Sequence, residues 1–251
     1  MSTPPIPAAL IEILRQARHI AVLTGAGISA ESGIPTFRAA LTGLWSQYRP
    51  EELATPAAFR ANPALVWQWY SGLRATMRAA QPNPAHYALA AMQRHAPKVT
   101  LLTQNIDGLH QRAGSPDVVE LHGNIHHMKC SAEHEPVEAW AEGSEEPPPC
   151  PRCGAHIRPD IVWFGERLPD AALDRANEAV RTCDVFFSIG TSGEVEPAAS
   201  FAPRAMGHGA TVVVINLDVT TSEARWLYRF HAQAGQLLPE LVRAAWPEAA
   251  A

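Results

Sequence analysis

Five apolar runs punctuate the chain, at residues 20–23, 98–103, 118–121, 184–189 and 211–215. None alternates cleanly between apolar and polar, as a half-exposed strand would. Stretches with helical periodicity lie between them. That combination predicts a parallel sheet covered on both faces, a Rossmann-like, doubly wound α/β architecture. Ile6, Leu10, Ile13, Leu14 and Ala17 recur at helical spacing ahead of the first run, and a helix is expected from about 237 to 246. Residues 39–84 carry helix signals of their own. Thr55-Pro56 and Asn62-Pro63 read as caps with proline in the first turn, and Val66, Tyr70, Leu73 and Met77 form a stripe.

This pattern predicts a nucleotide-binding body from residues 1–38, 85–125 and 159–251, a helical insertion at 39–84, and a polar, proline-rich module at 126–158. Each apolar run ends in small or polar residues: Thr24-Gly25, then Gln104, Asn105 and Asp107, then His122-Gly123, Gly190-Thr191-Ser192, and Asn216 with Asp218. In a parallel sheet those ends share one edge, the edge at which open α/β folds take ligands. The first of them opens the segment from Gly25 to Arg38, where Gly25, Gly27 and Ala30 fit the G-x-G-x-x-(G/A) spacing for a pyrophosphate. No Lys or Arg lies between Gly25 and Phe37, so backbone N–H groups would hold the phosphates. Gly33 and Pro35 stop the helix almost at once, unlike the long helix of a dehydrogenase.

Composition narrows the function. At 251 residues, 47% apolar and 18% charged, with a formal charge of -5 and the signs interspersed, the chain gives no support for a nucleic-acid or membrane-surface partner. The N-terminal residues lack the pattern of a signal peptide and no run is long enough to span a bilayer, so a soluble, cytoplasmic protein is expected. Oligomeric state is not legible.

His122 is the strongest candidate base, because it ends a strand on the ligand edge and titrates naturally near neutrality. Asn105 can orient a water or a ribose hydroxyl, and Asp107 can accept from a carboxamide; the alternative for both is an Asx turn. Residues 160–166 read either as a buried strand or as an exposed strand edge, flanked by Trp163 and Phe164, that pairs with an extended peptide. Cys150-Pro-Arg-Cys153 is a zinc-type knuckle to which Cys130 adds a third thiol. A regularly spaced fourth cysteine would fall at Glu133, and His134, one residue later, is the candidate substitute; a metal-free loop is the alternative. Cys183 reads as inert core.

Taken together, 25–38, Thr103-Gln-Asn-Ile-Asp-Gly-Leu-His110, Leu121-His-Gly123, Val162-Trp-Phe-Gly-Glu166 and Gly190-Thr-Ser192 with Glu196-Pro-Ala-Ala199 resemble the sirtuins, NAD-dependent protein-lysine deacylases, in order from about residue 8 to 245. The resemblance implies that Gly25, Ala26, Glu31, Phe37 and Arg38 surround the NAD pyrophosphate and reactive ribose. Gln104, Asn105, Ile106 and Asp107 would handle the nicotinamide side. Gly190, Thr191, Ser192, Asn216, Leu217, Asp218 and Ala234 would hold the adenosine half. His122 would be the general base, Asn105 its catalytic companion, and acylated lysine the substrate, giving nicotinamide and O-acyl-ADP-ribose. Val162, Trp163, Phe164, Gly165 and Glu166, with Tyr70 and Leu73, would meet the substrate, and zinc would sit on Cys130, Cys150, Cys153 and His134.

The chain looks related to the bacterial branch that removes succinyl and malonyl groups through a Tyr-x-x-Arg pair. Here Tyr70 is followed by Leu73 where arginine is expected, and Arg74 is displaced by about 100° around the helix. Two other functions remain open on the residues: mono-ADP-ribosyl transfer, and NAD or ADP-ribose sensing without chemistry.

Overall fold

The computed structural model describes residues 4–35, 53–140 and 143–250. In chain order the elements are α1 (Ala8–Gln16), β1 (Ile20–Thr24), α2 (Ala26–Ala30), α3 (Pro56–Ala61), α4 (Pro63–Ala79), α5 (Pro84–His95), β2 (Val99–Thr103), α6 (Leu109–Arg112) and β3 (Val118–Glu120). They continue as β4 (Gly123–Cys130), β5 (Pro136–Val137), β6 (Ile157–Ile161), α7 (Asp170–Thr182), β7 (Val185–Ile189), α8 (Phe201–Gly207), β8 (Thr211–Asn216), β9 (Ser222–Ala224), β10 (Leu227–His231) and α9 (Ala234–Ala245).

Seven strands form the main sheet in the order β3-β2-β1-β7-β8-β10-β9, parallel except for β9. Strand β1 shows why its apolar run does not alternate. Ile20 and Val22 pack on one face with Leu10, Leu89 and Leu238, whereas Ala21 and Leu23 pack on the other with Val180 and Phe201. Both faces are covered by helices, so every position of β1 is buried. The five expected strands are present, and β10 and β9 add to them. Strand β10 escaped the apolar pattern because only one of its faces is buried: Tyr228 and Phe230 point inward while Arg229 and His231 are exposed.

A second, three-stranded antiparallel sheet, β5-β4-β6, carries the cysteines. It runs from Gly123 to Ile161 and so overlaps both flanks of the expected 126–158 module. The helical insertion docks on it. Thr55 and Asn62 cap α3 and α4 by accepting from Ala58 N–H and Leu65 N–H, with proline at the first turn of each helix. Phe59, Val66, Trp69 and Tyr70 from those helices close a core with Ile125, Ile161 and Trp163. Among the described residues, no helix is long and apolar enough to cross a membrane. Phe37 and Arg38 lie outside the described residues.

Candidate active site

Backbone hydrogen bonds carry the sheet past its strand ends. Gln104 N–H donates to Thr24 O, Leu121 N–H to Thr103 O, Gly25 N–H to Ile189 O and Gly190 N–H to Ile215 O, at 2.9–3.0 Å. The polar ends therefore sit side by side. Glycine is required there by close approach: a Cβ on Gly27 would lie 2.7 Å from the Cα of Gly190, and one on Gly25 would lie 2.8 Å from its carbonyl oxygen. The spacing read as a phosphate signature is thus also a seam between β1 and β7.

His122 follows β3. Its carbonyl accepts from Val162 N–H at 2.9 Å, and Gly123 turns the chain with φ +74°, where a Cβ would fall 2.2 Å from Asp160 O. The imidazole Nδ1 lies 2.9 Å from the Gln104 carbonyl oxygen. A carbonyl only accepts, so Nδ1 carries the proton and Nε2 holds the basic lone pair. Burial pushes the imidazole below the ordinary histidine value, and the bond to Gln104 offsets this in part.

One residue on, Asn105 Nδ2 donates to Gly25 O at 3.0 Å and to Ser29 Oγ at 3.1 Å. Ser29 donates to Asp107 Oδ2 at 2.7 Å, and the other oxygen of Asp107 accepts Leu109 N–H. Asp107 is therefore held on two sides in a buried position, and Ile106 packs against the Tyr70–Trp163 core. Beneath this network lie two histidines, His86 and His110, whose part in it no spacing or motif announces. His86 accepts Asn83 N–H on Nδ1, closing a capping box at the start of α5, so its proton is on Nε2. The Thr24 hydroxyl donates to Thr103 and so accepts from His110 Nε2–H. The rings sit 4.9 Å apart, and burial lowers them to about 4 for His86 and about 3 for His110. Asn83 ties this corner to the glycine loop, donating to Ile28 O and Ser32 Oγ.

Across the seam a cavity of about 560 Å³ is lined by Gln104, Thr191, Ser192, Asn216 and Asp218, with Ser188 at its wall. Asn216 donates to Thr191 O at 2.7 Å and accepts Leu217 N–H, which shapes the rim. The Leu217 side chain is exposed. Ala234 starts α9, and next to it Gly235 N–H donates to Glu31 Oε1 at 2.9 Å, so this carboxylate already serves α9.

The segment after β6 divides residues 160–166 between a strand end and a turn. The strand ends at Ile161, and Trp163 turns inward, 2% exposed, rather than flanking an open edge. Its ring stacks on Tyr70 at 6.0 Å between centroids, and the Arg158 guanidinium lies 3.6 Å from its centroid. Glu166 also faces inward and takes Arg158 Nη1 and Nη2 at 2.7 Å, with Trp163 N–H at 2.9 Å. Burial opposes its ionisation, yet these donors hold its pKa below the ordinary carboxylate value. Phe164 is exposed beside Gly165, and Val162, Trp163 and Glu166 border a second cavity of about 1260 Å³. Tyr70 is fully buried, which raises its pKa, and Leu73 packs on the same core. Arg74 is buried with its guanidinium 5.2 Å from the centroid of Trp67. Nothing in the sequence singled out Arg158.

In the small sheet, ligand atoms of Cys130, Glu133, Cys150 and Cys153 lie within 4.8 Å of one another. His134 is not among them. It takes a left-handed backbone, φ 60°, and its side chain borders the second cavity instead. Three thiols and a carboxylate are a donor set that suits zinc.

An open parallel sheet whose ligand edge unites a glycine seam, an amide–hydroxyl–acid network and a histidine with a basic Nε2 defines a dinucleotide-type site built for acid–base chemistry. The Sir2 family model matches residues 25–197. A Methylococcus capsulatus relative named NAD-dependent protein deacylase is 50% identical over 243 residues, covering 94% of this chain and 95% of its own. Among solved structures, a Sir2 homologue in complex with NAD superposes with a TM-score of 0.89 at 39% identity, covering 99% and 97% of the two chains. A mutant Sir2 homologue with 2′-O-acetyl ADP ribose gives 0.88 at 40%, covering 98% and 99%. The chain belongs to the Sir2 family.

Proposed function

We infer that this protein is an NAD-dependent protein-lysine deacylase that transfers the acyl group to ADP-ribose and releases nicotinamide. The observation that carries the reading is the chain of contacts from His122 Nδ1 through the Gln104 carbonyl to Asn105, Gly25 and Ser29, which sets a base beside the glycine seam. NAD supplies an electrophilic ribose carbon with nicotinamide as leaving group. Asn105, Asp107 and Ile106 would hold the nicotinamide side, the seam at Gly25 and Ala26 the pyrophosphate, and the cavity at Thr191, Ser192, Asn216 and Asp218 the adenosine half. His122 Nε2 would take a proton from a ribose hydroxyl, and alignment in the crevice would offset the weak nucleophilicity of an amide oxygen.

The substrate is an acylated lysine on a protein, entering past the exposed Phe164 toward Tyr70 and Leu73. With Leu73 on an apolar core and Arg74 lodged by Trp67, the pocket suits uncharged acyl groups over succinyl or malonyl. A cytoplasmic setting and a structural zinc in the small sheet belong to the same reading.

The test is incubation with NAD and an acetyl-lysine peptide, following nicotinamide, free lysine and acetyl-ADP-ribose in equal amounts. Label passing from NAD to protein without acyl peptide would favour ADP-ribosyl transfer instead. Tight NAD binding with no nicotinamide release would favour a sensor.

A further inference from the structure

We propose that Glu133 completes the metal site of the small sheet as its fourth ligand, giving a Cys₃-carboxylate zinc centre; this rests on the zinc part of the functional reading. Cys130 Sγ and Cys153 Sγ are 3.4 Å apart. Two thiolates each about 2.3 Å from a tetrahedral zinc stand roughly 3.8 Å apart, whereas a disulfide would bring them to about 2.05 Å. At 3.4 Å the two sulfurs are unbonded thiols, close enough to share one ion.

The chain reaches it by a tight turn. Glu133 N–H points at Cys130 Sγ, 3.4 Å away, and His134 N–H donates to Cys130 O at 3.0 Å. Cys130 and Glu133 thereby stand on the same side of the turn, as two cysteines of a Cys-x-x-Cys knuckle would. The left-handed backbone of His134 carries its imidazole off that side. Arg152, inside the opposing Cys150–Cys153 knuckle, donates from Nε to Glu133 Oε2 at 3.3 Å, leaving the other oxygen of the carboxylate available. Ligating carboxylates are commonly steadied by such a partner. A carboxylate oxygen is a harder, weaker donor to zinc than a thiolate, so the centre holds its metal less tightly than four cysteines would.

The experiment measures zinc affinity of the full chain by chelator competition, with cobalt substitution to read thiolate-to-metal charge transfer. Glu133→Ala should weaken zinc at least about tenfold with the thiolate band retained. Glu133→Cys should tighten it at least about tenfold and intensify the band, and His134→Ala should stay within about twofold. Wild-type affinity in Glu133→Ala, or the tenfold loss appearing in His134→Ala, would overturn the assignment. Zinc in Glu133→Cys but none in the wild type would likewise remove Glu133 from the ligand set. No zinc in either would remove the metal reading itself.

Discussion

His122 Nδ1 and the carbonyl oxygen of Gln104 stand 2.9 Å apart, and that contact decides which nitrogen of the imidazole can act as a base. Replacing His122 by Ala should lower kcat by about 10²–10⁴-fold while leaving NAD affinity within a few-fold by equilibrium titration. Because burial lowers the imidazole below 6.5, the free enzyme's base is mostly neutral at pH 7, and the acid limb of kcat/KM should appear below pH 6.5. A limb centred above 7 would contradict it.

Asn105→Ala removes the donors to Gly25 O and Ser29 Oγ at once. Each bond contributes about 1 kcal/mol, and the larger effect should be on alignment. Nicotinamide exchange from NAD should slow by about 10–100-fold, with melting temperature lowered only slightly; equal losses in both would make Asn105 purely structural.

Leu73→Arg introduces a guanidinium on the face of α4 that Tyr70 shares, one helical turn further on. The ratio of succinyl- to acetyl-peptide turnover should rise by about tenfold or more through a charge-assisted contact. An unchanged ratio across acetyl, malonyl, succinyl and long-chain peptides would place Leu73 in the core and not at the acyl group.

Glu166→Gln leaves Arg158, with only 3% of its side chain exposed, without its charge partner. The loss should be about 2–4 kcal/mol in denaturant unfolding, discounted from the fully buried case because the carboxylate is 20% exposed. Arg158→Gln should alter Trp163 emission and raise KM for the acyl peptide more than KM for NAD, since the guanidinium braces the indole and the turn behind Phe164.

His86 and His110 make stability depend on acidity. The native state keeps both neutral, lowered to about 4 and about 3, while the unfolded chain protonates its histidines near 6.5. Stability is therefore full above about pH 7 and falls as the pH drops from 6.5 toward 4, by about 1–2 kcal/mol per histidine between pH 7 and 5. Urea unfolding at pH 7.5, 6 and 5 should show this slope, and His110→Gln should flatten it.

Much of the architecture was readable because buried parallel strands are apolar on both faces, as in β1 and β7. Strand β10 was not, since its alternating Tyr228, Arg229, Phe230 and His231 follow a polar stretch and form no apolar run. In the site, the shared edge on which strand-end residues such as His122 and Asn105 lie was legible from the order of the runs. Residues whose role is set by a partner that only the fold supplies were not. Arg158 gains its meaning from Glu166 and Trp163, and His110 from Thr24, 86 positions earlier. Spacing alone does not separate Glu133 from His134; the left-handed backbone at 134 does.

The bare backbones of Gly27 and Gly190 meet with no room for a methyl group between them. A single alanine at either place would act as a wedge, prising apart the first and seventh strands where their tips adjoin. The floor of the crevice is thus welded rather than hinged, and whatever closure accompanies catalysis has to be made by the walls.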